Sequence, residues 1–135
     1  MQQPITCFLI DNDEEDQEIF DMALKDTYPA IHCIFANDGP DALQKLTTHT
    51  SFIPSLIFID MNMPFMDGVQ CLQEIKKLQH LENVPVYMYS TSADPAVVAS
   101  VKKAGANDFI VKPSSLKKLT DILSEILHHH KLVSL

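Results

Sequence analysis

The chain contains no arginine: all ten basic residues are lysine, set against 18 acidic residues for a formal net charge of -8. Without the guanidinium fork that grips phosphate or guanine with two parallel hydrogen bonds, direct nucleic-acid binding is not expected. Cysteine is scarce. Cys7, Cys33 and Cys71 are odd in number, lie inside apolar periodic segments and have no metal-like spacing. They argue against a disulfide framework or a zinc site and predict buried free thiols. No apolar run approaches a membrane span, and MQQPIT has neither the basic start nor the apolar stretch of a secretory leader. A soluble, cytoplasmic protein without membrane insertion is predicted. No repeat, low-complexity tract or long Gly/Ser/Pro linker interrupts the 135 residues. One domain with one core is therefore expected, over about 5–130 with a short tail at 131–135.

What the chain does have is alternation. Short apolar runs at Cys7–Ile10, Ile31–Ala36, Leu56–Ile59, Val86–Tyr89 and Asp108–Val111 are separated by longer stretches of helical period. The runs have the length and composition of strands buried on both faces. Ile19, Phe20, Ala23 and Leu24 mark the inner face of a first helix, closed by Tyr28-Pro29 because the residue before proline resists the α region. Asp38 caps a second helix, with Pro40 in its first turn and Ala42, Leu43 and Leu46 inward. Val69, Leu72, Ile75 and Leu78 form the stripe of a third. Asp94-Pro95 opens a fourth, with Val97, Val98 and Val101 inward and Gly105 as its stop. A fifth starts near Ser115 and turns Leu116, Leu119, Ile122, Leu123, Ile126 and Leu127 to the core. The pattern predicts an α/β fold: a (βα)5 doubly wound, five-stranded open parallel sheet with helices on both faces.

In such a sheet ligands sit outside the carboxyl ends of the strands. The residues there are Asp11 to Asp13, Asp60, Ser90 and Lys112. Each alone has a commoner use, as a helix cap, a solvated hydroxyl or surface charge. Together on one edge, acidic clusters able to hold Mg²⁺, a hydroxyl and an ammonium suit phosphoryl transfer, where charge must be neutralised on both sides.

Two families share an aspartate nucleophile at a strand end. FLIDND resembles the first motif of haloacid-dehalogenase-type phosphatases, which would make Asp11 the nucleophile and Asp13 the general acid. That reading needs a closing acidic pair after Lys112, and only Asp121 and Glu125 follow, apart on one helix. The second resemblance is wider. LIFIDMNMPFMDG, with Asp60, Asn62, Met63-Pro64 and Asp67-Gly68, resembles the phosphoacceptor loop of response-regulator receiver domains, as do PVYMYSTSA with Ser90 and FIVKP with Lys112-Pro113. The likeness runs from Cys7 to about Leu127. It implies the flavodoxin-like receiver fold, strand order 2-1-3-4-5, and a cis peptide before Pro113.

It also implies a mechanism. Asp60 accepts a phosphoryl group from a sensor histidine kinase, a phosphotransfer protein or a small donor. Mg²⁺ is held by Asp11, Asn12, Asp60 and the backbone carbonyl of Asn62. Lys112 pairs with Asp60 at rest and with the phosphoryl group afterwards. Ser90 turns its hydroxyl to the phosphoryl group, and Phe109 rotates inward. Phe109 lacks a phenolic hydroxyl and can switch only by packing; it also fits a plain core aromatic. Such a protein is not an enzyme beyond self-phosphorylation and self-dephosphorylation. With no output domain expected after the fifth helix, a downstream protein would be met through the fourth helix, fifth strand and fifth helix. Lys102, Lys103, Lys117 and Lys118 would line that face, or simply solvate it.

A rival reading is a receiver-like binding module that never accepts phosphate. Asn12 motivates it, since the family usually has an acidic pair where this chain has Asp11-Asn12, and one ligand charge is gone. Asp13 to Asp16 are read as serving the electropositive start of the first helix. Thr91 is expected to crowd the path of the hydrolytic water. His128 to His130 point about 100° apart on a helix and cannot chelate one ion, so they are read as positive charge at a helix end.

Overall fold

Buried apolar runs flanked by helical segments assemble in the expected way in the computed structural model, which describes residues 4–133. The parallel strands are β1 (Thr6–Ile10), β2 (His32–Ala36), β3 (Leu56–Asp60), β4 (Val86–Ser90) and β5 (Asp108–Val111), in the order β2-β1-β3-β4-β5. Every residue of β3 and β4 is buried, because helices cover both faces of the sheet centre. The helices are α1 (Glu14–Thr27), α2 (Gly39–Thr48), α3 (Gly68–Lys76), α4 (Pro95–Lys103) and α5 (Leu116–His129). Alternation along each strand makes two cores. Phe8, Ile10, Ile57, Ile59, Val86 and Met88 face α2, α3 and α4. Cys7, Leu9, Phe58, Tyr87 and Tyr89 face α1 and α5, where the Phe20 ring meets Phe58 edge-on at 4.9 Å.

The α-helices begin at side-chain caps: Asp13, Asp38, Asp67, Asp94 and Ser115 each accept a hydrogen bond from a backbone N–H of the first turn. Asp67 and Gln70 form a reciprocal capping box. Gly68 lets α3 start hard against the end of β3. A Cβ there would lie 2.7 Å from the Asp60 carbonyl oxygen and 2.8 Å from Met61 Cα.

Several expectations are corrected. Ile19 is 44% exposed and Leu116 40% exposed. Ile19 sits one helical step, about 100°, away from Phe20 on α1, and Leu116 is the first residue of α5. The third helix ends at Lys76 rather than including Leu78, and a 3₁₀ turn (Gln79–Leu81) follows. The Lys112–Pro113 peptide is trans, the isomer favoured by about 0.5–1 kcal/mol in X–Pro bonds. Residues 131–133 are not a free tail. Lys131 adopts φ 57°, its N–H donates to the His128 carbonyl, and the Leu132 N–H donates to the Leu127 carbonyl at 2.9 Å. This is a Schellman closure, and it returns Leu132 and Val133 to the α1/α5 core. Ser134, Leu135 and the first three residues of MQQPIT lie outside the described residues. No described helix is long and apolar enough to cross a membrane.

Candidate functional site

Asp11 follows directly on β1 and has no exposed surface. Its N–H donates to the Ala36 carbonyl, continuing the β1–β2 pairing by one residue. Its Oδ1 accepts the Asp13 N–H at 2.9 Å, and its carbonyl accepts Gln17 Nε2 at 2.7 Å. The carboxylate is thus fixed at the sheet edge. Asp13 turns away to cap α1, accepting the N–H groups of Glu15 and Asp16. Asn12, between them, is exposed.

Asp60 ends β3, and Ile10 and Ile59 are register partners, so Asp11 and Asp60 are the next residues on neighbouring strands. Asp60 is 5% exposed. Its Oδ1 accepts the Asn62 N–H at 3.2 Å, drawing the following loop back over the strand end. Lys112 follows β5, and its N–H donates to the Ser90 carbonyl at 2.7 Å. Its ammonium lies 2.7 Å from Asp16 Oδ2, 3.1 Å from Asp11 Oδ2 and 3.6 Å from Asp60 Oδ2. It also stands 5.1 Å from the centre of the Tyr89 ring.

One expectation is extended and one changes. The expected Lys112–Asp60 ion pair is present at 3.6 Å, but the hydrogen bonds of the ammonium go to Asp16 and Asp11. Asp16 belongs to this site as well as to the first turn of α1. The only sequence signal for it was its place three residues after the Asp13 cap, which can aim a side chain back at the sheet edge.

These contacts set the proton affinities. Burial pushes the Asp11 carboxyl up to about 6, while the Asp13 N–H and the Lys112 charge pull against it. Burial opposes the charge on Lys112, but the Asp16 hydrogen bond and the Asp11 and Asp60 charges outweigh it, and the ammonium is held above its usual range. Burial also raises the Tyr89 phenol to about 12.

Ser90, 3% exposed, ends β4 one residue beyond Tyr89, the register partner of Asp60. It shares a cavity of about 140 Å³ with Met61, Asn62, Ser92, Asp94, Val97 and Phe109. Phe109 is half-buried; it lines this cavity and packs against the α2/α3/α4 core. Thr91 is exposed.

Other candidates separate. Lys102 pairs with Asp108 and Lys117 with Asp121 on an exposed face. His130 is not helix-end positive charge. Its Nε2 lies 2.6 Å from the Tyr87 hydroxyl, and burial, with His129 beside it, lowers its pKa. His128 Nδ1 lies 2.7 Å from the Ser124 carbonyl.

The donor set suits a hard cation. Asp11 and Asp60 carry carboxylates at neighbouring strand ends, and Asn12 and Asn62 supply the neutral oxygens nearest to them along the chain. Among the described residues no group of three or more His, Cys, Asp or Glu has metal-holding geometry. Mg²⁺ commonly uses one or two carboxylates and keeps waters, so this sparse set fits it, as it fits other oxygen-seeking divalent ions, and it does not fit zinc.

The profile of the response regulator receiver domain family matches residues 7–124. The chain belongs to that family. Chemotaxis protein CheY of Bacillus subtilis is 32% identical over 93 residues, 69% of this chain and 73% of the relative. CheY of Thermotoga maritima is 27% identical over 112 residues, 83% and 92% of the two chains. The peroxide stress-activated histidine kinase mak1 of Schizosaccharomyces pombe is 38% identical over 96 residues, which are 68% of this chain and 6% of the kinase. Among solved structures, the Mn(2+)-bound response regulator Rcp1 superposes with TM-score 0.82 at 27% identity, over 98% of this chain and 99% of that one. The phosphorylated cyanobacterial phytochrome response regulator RcpA gives 0.86 at 25% identity, over 98% of each chain. The receiver fold and strand order expected from the motifs are those observed.

Proposed function

We propose that this chain is a phosphoacceptor of a two-component phosphorelay, with Asp60 taking the phosphoryl group from a histidine of a sensor kinase or phosphotransfer protein, or from a small donor. The observation that carries this reading is the meeting of three strand ends at one point, with the Asp11 and Asp60 carboxylates within 3.6 Å of the Lys112 ammonium. An Asp60 carboxylate oxygen forms a bond to phosphorus. The bond from phosphorus to the donor imidazole breaks, and that nitrogen keeps the electron pair and takes a proton.

The product is an acyl phosphate. Mg²⁺, when bound by Asp11, Asp60, the Asn62 carbonyl and the Asn12 amide, supplies charge neutralisation of the transferring oxygens. Lys112 follows the new charge towards the phosphoryl oxygens, and the Ser90 hydroxyl donates to one of them. Phe109 then moves by packing into the cavity it shares with Ser90, which alters the face formed by α4, β5 and α5. A downstream protein reads that face. The chain acts as a phosphoacceptor rather than an enzyme on a separate substrate.

Asp13 argues against the phosphatase reading, since its oxygen is engaged in capping α1 rather than placed for acid catalysis. The exposed, neutral Asn12 is the observation in favour of a phosphorylation-independent binding module. Incubation with acetyl phosphate and Mg²⁺, followed by intact mass, tests between the two. A hydroxylamine-labile phosphoryl adduct is expected on the wild type and not on Asp60→Asn. No adduct at any Mg²⁺ concentration would leave the binding module as the better account.

A further inference from the structure

We propose that Asp16 is a positioning residue for Lys112, a resting-state latch that competes with the phosphoryl group for the ammonium and so sets how readily Asp60 is phosphorylated. This rests on the phosphoacceptor reading above. The shortest contact of Lys112 is with Asp16, at 2.7 Å, against 3.1 Å to Asp11 and 3.6 Å to Asp60. Asp13 already caps α1, so the Asp16 carboxylate is left to reach across to the residue after β5.

The three carboxylates differ in what losing the ammonium would cost them. The Asp11 side chain has no exposed surface, and that of Asp60 is 7% exposed. The side chain of Asp16 is 30% exposed, and water can replace the lysine there. A buried carboxylate deprived of its partner has no such recourse. When a doubly charged phosphoryl group forms on Asp60, Lys112 therefore moves by giving up Asp16 and keeping Asp11. The hydrogen bond to Asp16 opposes that move, and the Asp16 charge repels the incoming group.

Phosphoryl uptake from acetyl phosphate at saturating Mg²⁺ tests this in the full chain. Asp16→Asn is expected to accelerate uptake about tenfold, the scale of one charge-assisted hydrogen bond. Asp16→Glu, which keeps the charge, should fall between the two. Glu15→Gln, an equal change of charge on an exposed neighbour in the same turn, controls for general electrostatics and is expected to match the wild type.

A role acting through the lysine has a further signature: in a Lys112→Met background, adding Asp16→Asn should change nothing. Equal rates for wild type and Asp16→Asn, or an equal gain from Glu15→Gln, would overturn the latch while leaving Asp60 as acceptor. A wild type that takes no phosphoryl group at all would overturn the phosphoacceptor reading, and the latch with it.

Discussion

Gly68→Ala probes how the loop after β3 is anchored. The new Cβ would sit 2.7 Å from the Asp60 carbonyl oxygen and 2.8 Å from Met61 Cα. Both are backbone atoms, so no side-chain rotation relieves the overlap; α3 must retreat from the end of β3. The hydrogen bond from the Gly68 N–H to the Met61 carbonyl, 3.1 Å long, stretches as it does. Overpacking of this kind costs about 1–3 kcal/mol. Alanine regains part of this, at most about 1 kcal/mol in a helix interior and less at the first helical residue. A net loss of about 1–2 kcal/mol is expected, equivalent to a fall in Tm of about 3–8 °C for a chain of this size.

Urea denaturation monitored by circular dichroism measures it, with the slope m unchanged if only stability has moved. Because the same backbone carries Asp60 and Met61, phosphoryl uptake from acetyl phosphate should slow in the variant. A urea midpoint equal to or above that of the wild type would refute the packing argument. A lower midpoint with unchanged uptake would separate stability from site geometry.

Phe65, 88% exposed at φ 70°, holds a bulky side chain in the left-handed region. Phe65→Gly removes the strain and, after the greater chain entropy glycine brings to the unfolded state, should raise stability by about 0.5–1 kcal/mol; a lower urea midpoint would count against this. The folded-state pKa of His130 lies below the ordinary 6.5, so the unfolded chain takes up the proton first as pH falls. Its contribution to stability is complete above that value and declines towards the folded one. Wild type should therefore lose more stability than His130→Gln between pH 7 and 5, and parallel losses in urea titrations would contradict the assignment. Asn12→Asp adds a third carboxylate to the two proposed as ligands, Asp11 and Asp60, and should tighten Mg²⁺ binding severalfold by calorimetry with the metal alone. Identical affinities would show that this position does not ligate.

Much of the architecture was legible because it is written in short-range terms. A strand buried on both faces must be an unbroken apolar run, and a helix starting after a strand needs a cap, so Leu56–Ile59 and Asp94-Pro95 announce themselves. Asp60, Ser90 and Lys112 were legible for a related reason: each polar residue directly after such a run falls on the same edge of a parallel sheet. The register bears this out, with Asp60 opposite Tyr89 and Ser90 opposite Val111.

Composition and periodicity therefore determined the α/β class, the five βα units and the edge on which Asp11, Asp60, Ser90 and Lys112 gather, since each follows from neighbours a few residues apart. Tertiary structure decided the pairings between distant residues. It gave Lys112 to an aspartate 96 positions away, joined Tyr87 to His130 and folded Leu132 back onto the core. Those outcomes depend on the azimuth at which α1 and α5 settle on the sheet, and no local spacing sets that angle. FLIDNDEED is where the two levels meet. The strand end and the acidic helix start at Asp13 are visible in its letters, but only the packing of α1 shows Asp11 buried, Asn12 in solvent and Asp16 closed on the lysine.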